Sequence, residues 1–191
     1  MVGLFLLPSG WNGEGVWTGL REPWETMKRF LLSLVFLLSV GGWTLADTPV
    51  DAFGKLKLDQ TAEEVVAALG KPAKKGEKLF EAATGETVQK WSYPKIGVTL
   101  DMAQSEQAET LRVYRIQAEK PCQWIGWDGI GIGSPAAKAK AYVSGLQMNP
   151  KNEVSISSDS CSVLLTDSWT MLVFTLTEDK VSQIFLGPGP E

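Results

Sequence analysis

Several residues in this chain have the types that chemistry uses, and their spacing decides what they can do. Glu63 and Glu64 suggest an acid–base carboxylate pair, but adjacent helix positions point about 100° apart and cannot share one site. Acidic residues in a first helical turn already have a reason in the helix dipole. Ser134 and Lys138 suggest a nucleophile–base couple, yet the S-x-x-K spacing that puts both on one helix face has Ala137 in the lysine position. Lys138 reads as an exposed helix lysine. "GIGIGS", Gly129 to Ser134, suggests a phosphate cradle, but G-x-G-x-x-G fails at its last glycine and no βαβ context surrounds it. Turn and strand glycines explain it. Asp101, Asp128, Asp159 and Asp167 lack EF-hand spacing.

The chain contains no histidine. That removes the Cys–His couple, the Ser–His–Asp triad and every His-based zinc site. An enzyme built from this sequence would have to use Asp, Glu, Lys or Tyr alone, so the reading is a non-enzymatic protein with no cofactor and no metal. With 44% hydrophobic and 21% charged residues over 191 positions, the composition is that of an ordinary globular chain. The formal net charge of −4 gives no reason to expect nucleic acid as a partner, because phosphate binding needs clustered Lys and Arg.

The positional context of the two cysteines comes from the N-terminus. From Met27 the chain runs "MKRFLLSLVFLLSVGGWTLADTP", a basic pair followed by an apolar stretch and a small-residue pattern ending at Ala46. That is the layout of a secretory signal over 27–46, cleaved after Ala46. The apolar run is shorter than the ~20 residues a membrane span needs, so no span is expected in the mature chain. Residues 1–26 fit neither signal nor domain and read as an upstream extension, disordered, with Met27 the true start. The mature protein is then periplasmic or secreted. In an oxidising compartment Cys122 and Cys161 are expected to be paired.

Recognition by aromatic side chains is the remaining chemistry. Trp and Tyr anchor interfaces because they bury much area with few rotors. Trp91 and Trp169 lie inside strand-like segments and are expected in the core. Trp124 and Trp127 lie in the central linker "EKPCQWIGWDG", where they either join two sheets or border a recognition surface. Trp91, Tyr93, Trp124 and Trp127 are the candidate binding residues.

The elements that position these residues come as two similar series. "LDQTAEEVVAALGKP" carries a capping box, Thr61 with Glu64, an apolar face of Val65, Val66, Ala68 and Leu69, and a stop at Gly70 and Pro72. "IGSPAAKAKAYVSG" matches it, with Ser134 as cap, Pro135 at the first helical position and Gly145 as stop. Four strand-like segments follow each helix: "EKLFEAA", "TVQKWSY", "IGVTLDM" and "TLRVYRI", then "EVSIS", "SVLLT", "TMLVFTLT" and "KVSQIFLG". Leu111, Tyr114 and Ile116 have the spacing of Val181, Ile184 and Leu186, which suggests a shared bulge.

With "LKLDQTAEEVVAALGKP", "GIGIGSPAAKAKAYVSG" and "TEDKVSQIFLG" in view, the chain resembles the β-lactamase-inhibitor-protein-like (BLIP-like) family and the outer-membrane assembly lipoproteins of the SmpA/OmlA type. The resemblance runs from about Phe53 to Gly187 and rests on structural motifs. It implies an α+β fold of two tandem repeats, 47–121 and 122–191 with the linker, each a helix plus a four-stranded antiparallel sheet. The helices would lie on one face of a curved sheet, with Leu58, Val65 and Leu69 buried equivalently to Ile132, Ala139 and Val143. Inhibitor-type members tend to hold a disulfide within each repeat, and a Cys122–Cys161 bridge departs from that by joining linker to second sheet. The function implied is an exported protein that binds another exported or envelope protein through its concave sheet surface, in enzyme inhibition or envelope assembly. The alternative is a periplasmic glycan or small-molecule binder that stacks its ligand on Trp127, Tyr93 and Trp91.

Overall fold

The computed structural model describes residues 50–82, 84–105 and 110–188, all within one compact unit, Ala46–Glu191. The extension 1–26, the signal 27–46 and its cleavage point lie outside the described residues. A short antiparallel ribbon comes first, β1 (Ala52–Phe53) with β2 (Leu56–Lys57). Helix α1 (Ala62–Leu69) follows, and its capping box is formed: the Glu64 amide donates to Thr61 Oγ1 (3.3 Å) and the Thr61 amide to Glu64 Oε2 (2.8 Å). Next come β3 (Lys74–Glu81), β4 (Glu86–Tyr93), β5 (Val98–Ser105) and β6 (Arg112–Glu119). After the linker, α2 (Ala136–Leu146) precedes β7 (Asn152–Ile156), β8 (Ser160–Leu165), β9 (Thr170–Thr177) and β10 (Lys180–Pro188).

The expected pair of helix-plus-four-strand repeats is corrected by the sheet. The protein is mostly β, and all eight long strands form one antiparallel sheet in the order β3-β4-β5-β6-β10-β9-β8-β7. The join is β6 with β10, in register from Gln183 opposite Glu119 to Leu186 opposite Ile116. A four-stranded sheet ending at β6 would present a row of unpaired backbone groups on an apolar strand. Pairing with β10 satisfies them and makes one core. Each of these central strands carries a bulge, at Tyr114 in β6 and Ser182 in β10. Of Leu111, Tyr114 and Ile116 only Ile116 is fully buried: β6 buries Val113, Ile116 and Ala118.

Strand alternation then sorts the side chains onto two faces. Trp91 and Tyr93 of β4, Val98, Leu100 and Met102 of β5, Ile184 and Leu186 of β10, Leu172 and Phe174 of β9, and Cys161 and Val163 of β8 share one face and are buried. Val65 of α1 and Ala136, Ala139 and Val143 of α2 belong to the same core. Of the six positions expected to be buried, Val65, Ala139 and Val143 are; Leu58, Leu69 and Ile132 are only partly covered at the core margin. Helix α2 starts one residue later than expected, with Pro135 at its cap. Ser134 Oγ instead accepts the Gly131 amide (3.0 Å).

The predicted disulfide is absent. Cys122 and Cys161 are both buried free thiols. Cys122 follows the end of β6 and Cys161 lies on β8, with β10 and β9 between those strands. Three strand spacings are about 14 Å, well beyond the roughly 4.4–6.8 Å between Cα atoms that a bridge requires. Burial raises both thiol pKa values, which leaves them as small apolar core residues.

Candidate functional site

The tryptophans proposed as binding groups serve the core. Trp127 is fully buried, stacked on Phe53 (centroids 5.4 Å apart, 15° between planes) and edge-on to Phe174 (5.9 Å). Trp124 is half-buried and packs at a tilt against Phe53 (centroids 5.9 Å apart, 57° between planes). A Cβ at Gly131 would lie 2.4 Å from the Trp124 carbonyl oxygen, so a glycine of "GIGIGS" is there for close packing. The linker aromatics thus clamp the β1–β2 ribbon onto the sheet. Trp91 is buried beneath Lys75, whose Nζ is 4.0 Å from the ring centroid, and its Nε1 donates to Gln89 Oε1 (2.9 Å). Tyr93 is buried, its hydroxyl donating to the Gly70 carbonyl (3.2 Å), and burial raises its pKa. Trp169, expected in the core, is 69% exposed in the β8–β9 turn with φ +52°.

The face opposite the helices is where the register gathers unused chemistry. On its N-terminal half β3, β4, β5 and β6 contribute Glu81, Glu86, Lys90, Asp101 and Arg115. Arg115 makes a two-pronged pair with Glu81 (Nη1–Oε1 3.0 Å, Nη2–Oε2 3.3 Å). Its Nε donates to the Pro188 carbonyl (3.3 Å) and its guanidinium stands 4.5 Å from the Tyr114 ring centroid. Nη1 is 3.8 Å from Asp101 Oδ2, and Lys90 Nζ is 4.0 Å from Oδ1.

The electrostatics of this cluster follow from burial. Asp101 is only 8% exposed, and desolvation raises its pKa against the pull of Lys90 and Arg115. Burial also opposes the charge on Arg115, but the hydrogen bond and charge of Glu81 outweigh it and hold the pKa up. Glu86 is raised by burial and then by the Glu81 charge. Its Oε2 is buried with no partner among the described residues.

The C-terminal half of the same face carries an apolar strip. Phe185 of β10 stands opposite Val173 of β9, and Met171 opposite Leu164 of β8. All four are half-buried. A clue to this patch is present in "TMLVFTLT": Met171 and Val173 alternate with the fully buried Leu172 and Phe174, so both faces of one strand are apolar. The charged cluster had a weaker sign, a lone Asp101 inside the apolar "GVTLDMA". Which residues it meets depends on the register of three strands. Among the described residues no group of His, Cys, Asp or Glu could hold a metal, and no helix is long and apolar enough to cross a membrane.

No family model matches the chain, and no curated protein does. Among solved structures it is similar to an extracellular protein containing a SCP domain from Bacillus anthracis, at 10% identity and a TM-score of 0.40. The alignment covers 78% of this chain and 48% of that one, so the chain spans about half of its length. A likeness this distant says nothing about activity.

Proposed function

We propose that this chain is an exported, non-enzymatic binding protein, akin to the BLIP-like and SmpA/OmlA-type proteins it resembles, that recognises another exported or envelope protein. The sheet face opposite the helices is its interaction surface. The observation that supports this is the division of that face into an apolar strip, Phe185, Val173, Met171 and Leu164, beside the Arg115–Glu81–Asp101 cluster. Apolar area supplies affinity, and a fixed charge pattern supplies orientation and discrimination. The stacking reading for a glycan loses its support, because Trp91 and Trp127 are fully buried and Tyr93 keeps only 6% of its surface exposed.

Affinity capture from the envelope and secreted fractions of the source, with Val173→Asp as the paired control, tests the reading. A stoichiometric protein partner lost with the variant is expected. Binding only to sugar or cell wall, or a partner indifferent to Val173→Asp, overturns it. Export is tested by N-terminal sequencing of secreted material, which is expected to begin at Asp47; a start before Lys28 refutes both start site and cleavage.

A further inference from the structure

We propose that a cleft at the C-terminal end of α1, on the helix side of the sheet, binds an apolar chain that ends in a carboxylate. The cleft has a volume of about 370 Å³, with Leu69, Pro94 and Ile96 as its accessible apolar surface, the buried Tyr93 at its base and Lys71 and Lys95 beside them. That size is within the roughly 300–1,000 Å³ of small-molecule sites. Leu69 and Ile96 are half-exposed apolar side chains packed against the core margin, so covering them removes apolar surface from water.

The walls are preformed. Helix α1 stops at Gly70 (φ +79°), whose carbonyl accepts the Tyr93 hydroxyl. The opposite wall is the 3-10 turn Pro94–Ile96, closed by Gly97 in the left-handed region (φ +64°). A Cβ at Gly97 would lie 2.2 Å from the Glu119 carbonyl oxygen, and the Glu119 amide donates to the Gly97 carbonyl (2.9 Å). The turn is pressed onto the end of β6.

Charge selects the ligand's head. In a chain of net charge −4, the two lysines at this cleft make no ion pair with a carboxylate among the described residues. Lys71 also suits the negative end of the α1 dipole, and Lys95 comes from another element, the 3-10 turn. An apolar tail over Leu69 and Ile96 would place its terminal anion between two ammonium groups. A free fatty acid and the C-terminus of a peptide ending in an apolar residue share that chemistry.

Methyl NMR titration of the full chain with octanoate tests this. Saturable shifts at the Leu69 and Ile96 methyls are expected, with butyrate at least about tenfold weaker, since each buried methylene contributes roughly fourfold. Octylammonium should not bind, and Lys71→Gln with Lys95→Gln, both at exposed positions, should weaken octanoate at least about tenfold. Absence of shifts with octanoate, equal binding of octylammonium, or full binding by the double variant overturns the proposal. An acetylated Gly-Ala-Leu peptide, free acid against amide, separates the sources: tighter binding of the free acid than of octanoate assigns the site to a chain terminus, and the reverse to a fatty acid. The cleft and the open face lie on opposite sides of the sheet, so failure of one reading leaves the other standing.

Discussion

The halves β3–β6 and β7–β10 of the one sheet present the same kind of apolar face to the helices and differ on the other face. In β3–β6 that second face holds carboxylates and cations that neutralise one another in a half-buried network. In β7–β10 the equivalent surface carries the apolar strip Phe185, Val173, Met171 and Leu164. The helix-facing set is constrained by packing, and both halves meet that constraint with buried aliphatic and aromatic residues. The outer set is less tightly packed, so its two halves are freer to differ. A charge network is oriented and intolerant of a wrong partner, whereas an apolar strip is adhesive and undirected.

The largest test of this contrast compares neighbours on one strand. Leu172→Ala, on the fully buried face, should cost about 3 kcal/mol, while Val173→Ala, on the outer face, should cost under about 1 kcal/mol. Urea denaturation checks both. Similar losses would mean that the outer strip is part of the folding core.

Next is Arg115→Ala, which leaves Asp101 without its nearby guanidinium and strips Glu81 of a two-pronged partner. Breaking a buried pair costs about 3–5 kcal/mol, but Glu81 is a third exposed, so about 2 kcal/mol is expected after solvent screening. A loss below the error of the same denaturation would show the cluster to be solvated surface charge.

Smaller, and opposite in sign, is Trp169→Gly. The Ser168 amide closes the turn on the Leu165 carbonyl (3.2 Å), and Trp169 follows at φ +52°, a position that hairpins usually fill with glycine. A left-handed conformation costs a non-glycine residue roughly 1–2 kcal/mol. Since Trp169 is mostly exposed, the variant should gain about 1 kcal/mol and melt a few degrees higher. A drop in melting temperature would mean that the indole packs on the apolar half.

The smallest effect is on pH dependence. Glu86 has a raised pKa, so between its ordinary value of 4.5 and the raised one the folded state holds more proton than the unfolded. Stability therefore falls as pH rises through that window. Glu86→Gln should flatten this part of the profile, and an unchanged slope just above pH 4.5, measured by melting, would exclude Glu86 as its source.

How far these features could be read in advance depends on how local they are. Thr61, Glu64, Val65 and Gly70 lie within one short segment, and the helix they specify is the one observed. The buried side chains of β5 and β9 follow from strand alternation in the same way. Trp169 was misplaced because its strand-like neighbours concealed a turn, and the six consecutive residues "TDSWTM" contain no glycine to mark it. Cys122 and Cys161 were joined by compartment and even number, neither of which measures distance. Trp127 had two readings open because a linker tryptophan is buried or exposed according to what packs on it, here Phe53 and Phe174.

What the sequence by itself determined is the set of local elements and the chemistry ruled out: a capped first helix, strands of alternating burial, and no histidine for a nucleophilic triad or a His zinc site. Backbone propensity, capping and side-chain period act over a few residues, so they are legible one segment at a time. Only the tertiary structure decided that β6 pairs with β10, which joins all eight long strands in one sheet, keeps the cysteines apart and brings Arg115 to the Pro188 carbonyl, and that the register of β3–β6 brings Arg115 to Glu81 and Asp101. Strand edges carry the same amide and carbonyl groups whatever their side chains, so the choice of partner strand is made by the packing of the whole core.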